Sequence, residues 1–232
     1  MRQGPPSVGR CTLPNARHWS KLTTRYRRRS DAAGWTHVPK CRLAGEEVDV
    51  LGGGRRWAAA VREHEAVVSE FLRTIERIGP AEWSRTPSPD RWSPAAVALH
   101  VCISYELGRD AANGVRSMRL RSAPPIAWLS RTLLLPLMFA TKRFPRNAPA
   151  PREVRPDLDE AARLGQPAIA ARLGESAAAA AAALRDADGR RPTTRFTHAY
   201  FGSLSPLATL RLLSAHTRHH ARRLAAALPF EG

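Results

Sequence analysis

Two histidines four residues apart, His216 and His220, stand near the end of the chain in the run His216-Thr-Arg-His-His220. On an α-helix that spacing leaves two imidazoles about 40° of arc apart, projecting from one face. Rings so placed can share a divalent cation, as helix-borne histidine pairs do in zinc proteins. His219 is within reach by number, but the helical wheel turns it toward Arg211, Arg218 and Arg222, the side expected to be solvated. His220 turns toward Leu213 and Leu224, with His216 at the margin of that apolar face, so 216 and 220 form the expected pair. A third ligand would come from His100, which lies in line with Val97, Val101 and Ser104. Cys102 sits about 200° around the same helix and cannot share an ion with it. An ordinary core histidine bonded to a carbonyl is the alternative for His100, and residue types alone leave that open.

These side chains must be carried by helices. Trp57, Ala60, Val61, His64, Val67, Val68, Phe71, Leu72, Ile75 and Ile78 recur at steps of three and four, which predicts an amphipathic helix over about 55–78. Gly79-Pro80 stops it. Ser93-Pro94 starts a second helix with a hydroxyl cap and a proline in its first turn, running to about Asn113. Residues 114–156 form a basic, proline-studded connection with nine cations against Glu153 alone, and a short helix is expected at 126–140 within it. A third helical region follows Pro156-Asp157, breaks near Gly165–Pro167 and resumes to Leu184, ahead of a turn at 186–189. Ser205-Pro206 opens a fourth helix to about Leu228. No stretch alternates at period two for long enough to make a sheet. Helices of roughly 20–24 residues, about 30–36 Å long, suit an all-α four-helix bundle.

Composition narrows the class. The 232 residues are 43% apolar and 25% charged, enough to bury a core. The net charge is +17, and 34 of the 37 basic residues are arginine, a bias that GC-rich coding would also produce. Three cysteines are too few and scattered for a disulfide framework or zinc ribbon. No apolar run reaches the ~18 residues of a membrane span, and the longest, 126–140, is interrupted by Arg131 and Pro136. A cytoplasmic setting is the expectation. Residues 1–54 read as a disordered or weakly ordered Arg-rich tail, carrying Arg25, Arg27, Arg28 and Arg29 and ending in Gly52-Gly53-Gly54. An organellar targeting segment, a nucleic-acid arm or sequence upstream of the true start are its other readings.

Trp92-Ser93-Pro94 with Leu99-His100, then His198-Ala-Tyr-Phe-Gly202 ahead of Leu204-Ser205, then His216-Thr-Arg-His-His220, resembles the DinB-like superfamily over about residues 55–230. The resemblance implies an up-down-down-up four-helix bundle. It also implies one divalent ion held by a histidine of the second helix and the HxxxH pair of the fourth, matching His100, His216 and His220. Members with known activity are mostly metal-dependent transferases or isomerases that use a low-molecular-weight thiol, such as mycothiol or bacillithiol. Many members carry Gln or His three residues after the last ligand, where this chain has Arg223.

Three neutral ligands leave the ion its full charge and an open position, at which water or a thiol loses its proton near neutral pH. Zinc and nickel come first, and iron and manganese also accept imidazole. The implied partners are a small thiol and an electrophilic substrate, with a homodimer compatible. Two side chains are expected to assist. His64 lies at the centre of the first helix's stripe, and Arg223, between His216 and His220 on the wheel, suits a carboxylate. An ordinary buried histidine and an exposed helix-end arginine are the alternatives. Competing functions are a metal-dependent hydrolase, a non-catalytic metal-binding bundle, and a basic protein binding nucleic acid or a membrane surface. The arginines are not interleaved with aromatics and no helix-turn-helix or finger spacing occurs, which argues against nucleic acid.

Overall fold

Serine caps and apolar stripes determine where the long helices begin and what they bury. The computed structural model describes residues 50–88, 91–145, 149–190 and 195–227. Most of the expected tail therefore lies outside the described residues. Helix α1 (Val50–Glu76) turns Trp57, Ala60, His64, Val67, Val68, Phe71 and Ile75 inward. It begins before the expected Arg55, so Gly52-Gly53-Gly54 fall inside the helix. Glycine costs a helix only about 1 kcal/mol per residue, which extension of an existing helix can absorb. One turn, α2 (Pro80–Trp83), buries Trp83, whose indole donates to the Leu164 carbonyl at 3.2 Å.

Helix α3 (Pro94–Ala112) starts as expected, with Ser93 Oγ accepting the Ala96 N–H at 3.3 Å. The connection folds into α4 (Pro124–Leu129), a π-helical turn at Ser130–Leu134, and α5 (Leu135–Thr141). The expected short helix is thus present, and the π turn lies where Pro136 would meet the carbonyl four residues back. Helix α6 (Leu158–Arg163) is capped by Asp157, and α7 (Gln166–Arg190) follows Gly165. Helix α7 runs through the turn expected at 186–189. Ala187 is buried there and Asp188 accepts from the Trp57 indole, so tertiary packing overrides local turn preference. Helix α8 (Pro206–Ala225) repeats the serine cap, Ser205 Oγ accepting from Ala208 N–H.

One element was not expected. Strands β1 (Phe196–His198) and β2 (Gly202–Leu204) pair antiparallel, with Phe196 opposite Leu204 and His198 opposite Gly202. Three residues per strand are too few to show alternation. The ribbon is held by neighbours instead: Phe196, Phe201 and Leu204 pack with Leu107 and Leu212, and Arg131 donates to the Ser203 carbonyl at 3.0 Å. Gly202 supplies the left-handed backbone of its turn, at φ 67°.

Contacts between α1, α3, α7 and α8 determine the direction of each. Trp57 meets Asp188, while the Ile75 and Ile78 carbonyls meet Gln166, so α1 and α7 run antiparallel. Cys102 lies against Ile169 and Glu106 against Arg172, so α3 and α7 run parallel. His100 meets His216 whereas Gly108 meets Leu213, so α3 and α8 are antiparallel. The order is up-down-down-up, and the 114–157 crossover is what permits two consecutive bundle helices to be parallel. At Gly108 a β-carbon would lie 3.0 Å from Leu213 Cδ1, so these two helices approach as closely as the absent side chain allows. Among the described residues, no helix is long and apolar enough to cross a membrane.

Candidate metal centre

The antiparallel pairing of α3 and α8 brings three imidazoles together. His100 Nε2 and His220 Nε2 each lie 3.0 Å from His216 Nε2. All three ligand atoms fall within 4.8 Å of one another. His100 and His220 are buried and His216 is half-buried.

Hydrogen bonding shows which nitrogen is free. His100 Nδ1 is 2.6 Å from the Val154 carbonyl, which only accepts, so Nδ1 carries the proton and Nε2 presents a lone pair. His216 Nε2 faces two other Nε2 atoms and can donate to one at most. Lone pairs therefore converge without enough protons between them, and a cation satisfies that donor set. Burial pushes the His100 pKa down to about 4, against the Val154 hydrogen bond that favours the charged form. Burial lowers His216 and His220 well below the usual range, and the neighbouring histidines add to it. Neutral imidazole is the form that binds metal.

The cluster lies on a cavity of about 550 Å³ with largely apolar walls, among them Trp92, Leu134, Phe144 and Phe201. The Trp92 ring tilts over His100 at 5.0 Å and Phe144 lies 5.6 Å from His216. Arg223 lines the cavity with its side chain exposed, and no ion pair holds it among the described residues. His219 reaches the cavity but not the cluster, its ring tilted 5.5 Å from Phe144. The wheel was wrong about one neighbour. Arg218 is 9% exposed and bound to Glu63 at 2.9 Å, because α1 packs on that side of α8.

His64 is not brought to the cavity. It is buried between helices, 3.4 Å from the Tyr105 hydroxyl and hydrogen-bonded to the Ala177 backbone, and Tyr105 in turn meets Thr217 Oγ1 at 2.8 Å. The stripe placed it correctly in the core, but a core-facing position on α1 looks into the bundle interior and not at the cavity wall. Cys102 is buried with its thiol pushed up to about 12 by burial, away from the cluster. Glu106 is occupied by Arg172 at 2.7 Å.

His198 belongs to the motif that carries the resemblance. It lines the cavity, stacked on Phe201 at 4.8 Å, and its Nδ1 accepts the Tyr200 N–H at 3.2 Å. Its proton therefore belongs on Nε2, and burial holds the pKa at about 4. The hairpin, whose short strands show no alternation in the sequence, fixes this tautomer.

Residues 63–224 match the family profile of the DinB superfamily. The chain belongs to the DinB superfamily. No curated protein and no solved structure matches it. DinB proteins commonly bind metal, and the three-histidine cluster of this member is a set that could hold one. The identity of the ion is not determined by imidazole alone.

His64 provides a test of burial in this DinB bundle that is separate from any metal. Its pKa falls from 6.5 to about 4 because burial disfavours the cation. The unfolded chain then binds the proton first, so stability is full above pH 6.5 and declines as pH falls toward about 4. His64→Gln should remove about 3 kcal/mol of that acid loss, read as urea midpoints of variant and parent near neutral pH and at about pH 4. An unchanged pH dependence would mean that His64 is not the group responsible.

Proposed function

We propose that this DinB protein is a metal-dependent transferase or isomerase that takes a low-molecular-weight thiol as co-substrate. The supporting observation is the convergence of three imidazoles, two buried and one half-buried, at an apolar cavity whose lining includes Arg223, which has no ion pair among the described residues. His100, His216 and His220 are the proposed ligands of one divalent ion, with zinc or nickel the first choices. Bound there, the ion would supply positive charge that favours deprotonation of a thiol or water.

The chain's own residues do the rest. Val154 orients His100 through its carbonyl, the second partner that a metal-binding imidazole requires. Trp92, Phe144 and Phe201 give the cavity an apolar wall against which a bound molecule would lose water. His198 offers an Nε2–H to a polar atom of a bound molecule. Arg223 is the proposed anchor for a carboxylate. In S-transfer the sulfur forms a bond to the electrophilic carbon, the leaving group departs with its electron pair and the thiol proton passes to water. No oxidant or reductant is needed. The proposed setting is cytoplasmic.

Cobalt substitution tests this reading, because a sulfur ligand adds a charge-transfer band that water does not. A carboxylate-bearing thiol should produce the band near neutral pH, and His100→Ala should abolish it. Arg223→Ala should weaken thiol binding by about 1 kcal/mol at most, below the range of a buried charge-assisted contact because the side chain is exposed. If cobalt binds but thiols at millimolar concentration leave its spectrum unchanged, the thiol reading fails. Hydrolysis or a structural ion then becomes the account.

A further inference from the structure

The hairpin presents an imidazole proton for which the fold has no use. His198 sits among aromatic rings: Phe201 stacks on it at 4.8 Å, and Tyr200 and Phe196 lie tilted at 6.0 Å and 6.2 Å. Its Nδ1 accepts the Tyr200 N–H, which puts the proton on Nε2. Among the described residues Nε2 has no partner on the chain. It is not sealed off either, so it opens onto the cavity that the ring lines. His198 also stands close enough to His216 for a charge on one to act on the other. A donor held in this way beside the three imidazoles is placed to meet a bound molecule.

The other polar groups of the lining narrow what that molecule carries. Of the four hydroxyls there, three already donate to carbonyls of the chain: Ser104 to His100, Thr209 to Ser205 and Tyr200 to Pro149. Among the described residues no carboxylate lines the cavity, so an ammonium or a hydroxyl proton would find no strong acceptor. A ligand carboxylate has the exposed Arg223 to meet. Against one neutral imidazole in an apolar wall, its desolvation would cost more than the hydrogen bond contributes. A carbonyl accepts without donating, bears no net charge and is itself an electrophilic group. Phe196, Phe201 and Leu212 give the rest of such a molecule an apolar seat.

We infer that the cavity takes an apolar carbonyl compound as the electrophile, its oxygen accepting the His198 Nε2–H. That bond draws electron density toward the oxygen and leaves the carbon more open to a nucleophile. Calling the molecule an electrophile rests on the proposed transfer reaction, whereas its binding does not.

The test uses the full chain without thiol, and two probes of one shape: acetophenone and its hydrocarbon isostere α-methylstyrene. Dissociation constants come from ligand-observed NMR titration. The preference of the parent for acetophenone over the isostere should fall about fivefold in His198→Phe, the loss of one neutral hydrogen bond. His198→Asn keeps an acceptor for the Tyr200 N–H but cannot reach the cavity, and should lose the preference too. His198→Gln carries an amide N–H to the Nε2 position and should retain it. The carbonyl stretch of isotope-labelled acetophenone should lie lower in the parent complex than in the His198→Phe complex. Equal preference in parent and His198→Phe would overturn the inference, because the oxygen then meets another group. So would a preference kept by His198→Asn and lost by His198→Gln, since the ring then serves only to hold the hairpin. Failure of the parent to bind acetophenone at millimolar concentration would do the same. The cobalt spectra need no carbonyl compound and these titrations need no thiol, so the two readings fail separately.

Discussion

Alanine at His100, His216 or His220 should each strip the purified chain of its divalent ion, while His219→Ala should retain it at near-stoichiometric level. The three proposed ligands direct Nε2 atoms at one point, and His219, though half-buried, directs its ring at Phe144 instead. Removing a hydrogen-bond partner from a metal ligand already costs about 10–100-fold in affinity, so removing the ligand itself should cost more. Elemental analysis after gel filtration in chelator-free buffer reads the result directly. Metal lost from His219→Ala and kept by His220→Ala would mean that α8 is rotated from the orientation described. Equal metal in all four variants would remove the site.

The second large effect is on stability. Phe71→Ala should cost about 4 kcal/mol of unfolding free energy, in the range for deleting a fully buried aromatic. Phe71 is 0% exposed on the inward face of α1, within the cluster that includes Ile75, Leu99, Tyr105, Leu173 and Leu210. Against a total of about 5–15 kcal/mol for a domain, that loss is a large fraction. Leu137→Ala, at an exposed position, should change stability by less than about 0.5 kcal/mol. Urea titration separates the two. A loss below about 1 kcal/mol for Phe71→Ala would show that the cavity it leaves collapses, or that the bundle is not closed around it. Metal content should be unchanged in folded Phe71→Ala, since residue 71 does not line the cavity.

Local signals in this chain were readable where one residue decides them. Ser93 and Ser205 cap helices because a hydroxyl followed by proline has little other use there, and both bonds form. The inward phase of His64, His100 and His220 followed from the stripes on either side of each. What one helix cannot reveal is its neighbour. The parallel course of α3 and α7 came from the resemblance, and Arg218 looked solvated because Glu63 lies 155 residues away in sequence. The same gap hid the end of α7, which the Trp57–Asp188 bond carries past a turn-like run. It also hid the hairpin, whose stability comes from Leu107, Leu212 and Arg131 and not from its own six residues. His198 was lost with that hairpin.

The contact at Gly108 acts as a ruler for the histidines. Leu213 and His216 are three apart on α8, so the point where the helices touch lies about one turn from His216 and about two turns from His100 and His220. The gap between the helices is set there by backbone against side chain, at a place no ion reaches. The donor triangle therefore has its size before anything binds, and an incoming cation must fit that span or strain it. A change of metal preference in this protein could then arise at residue 108, with every ligand left as it is.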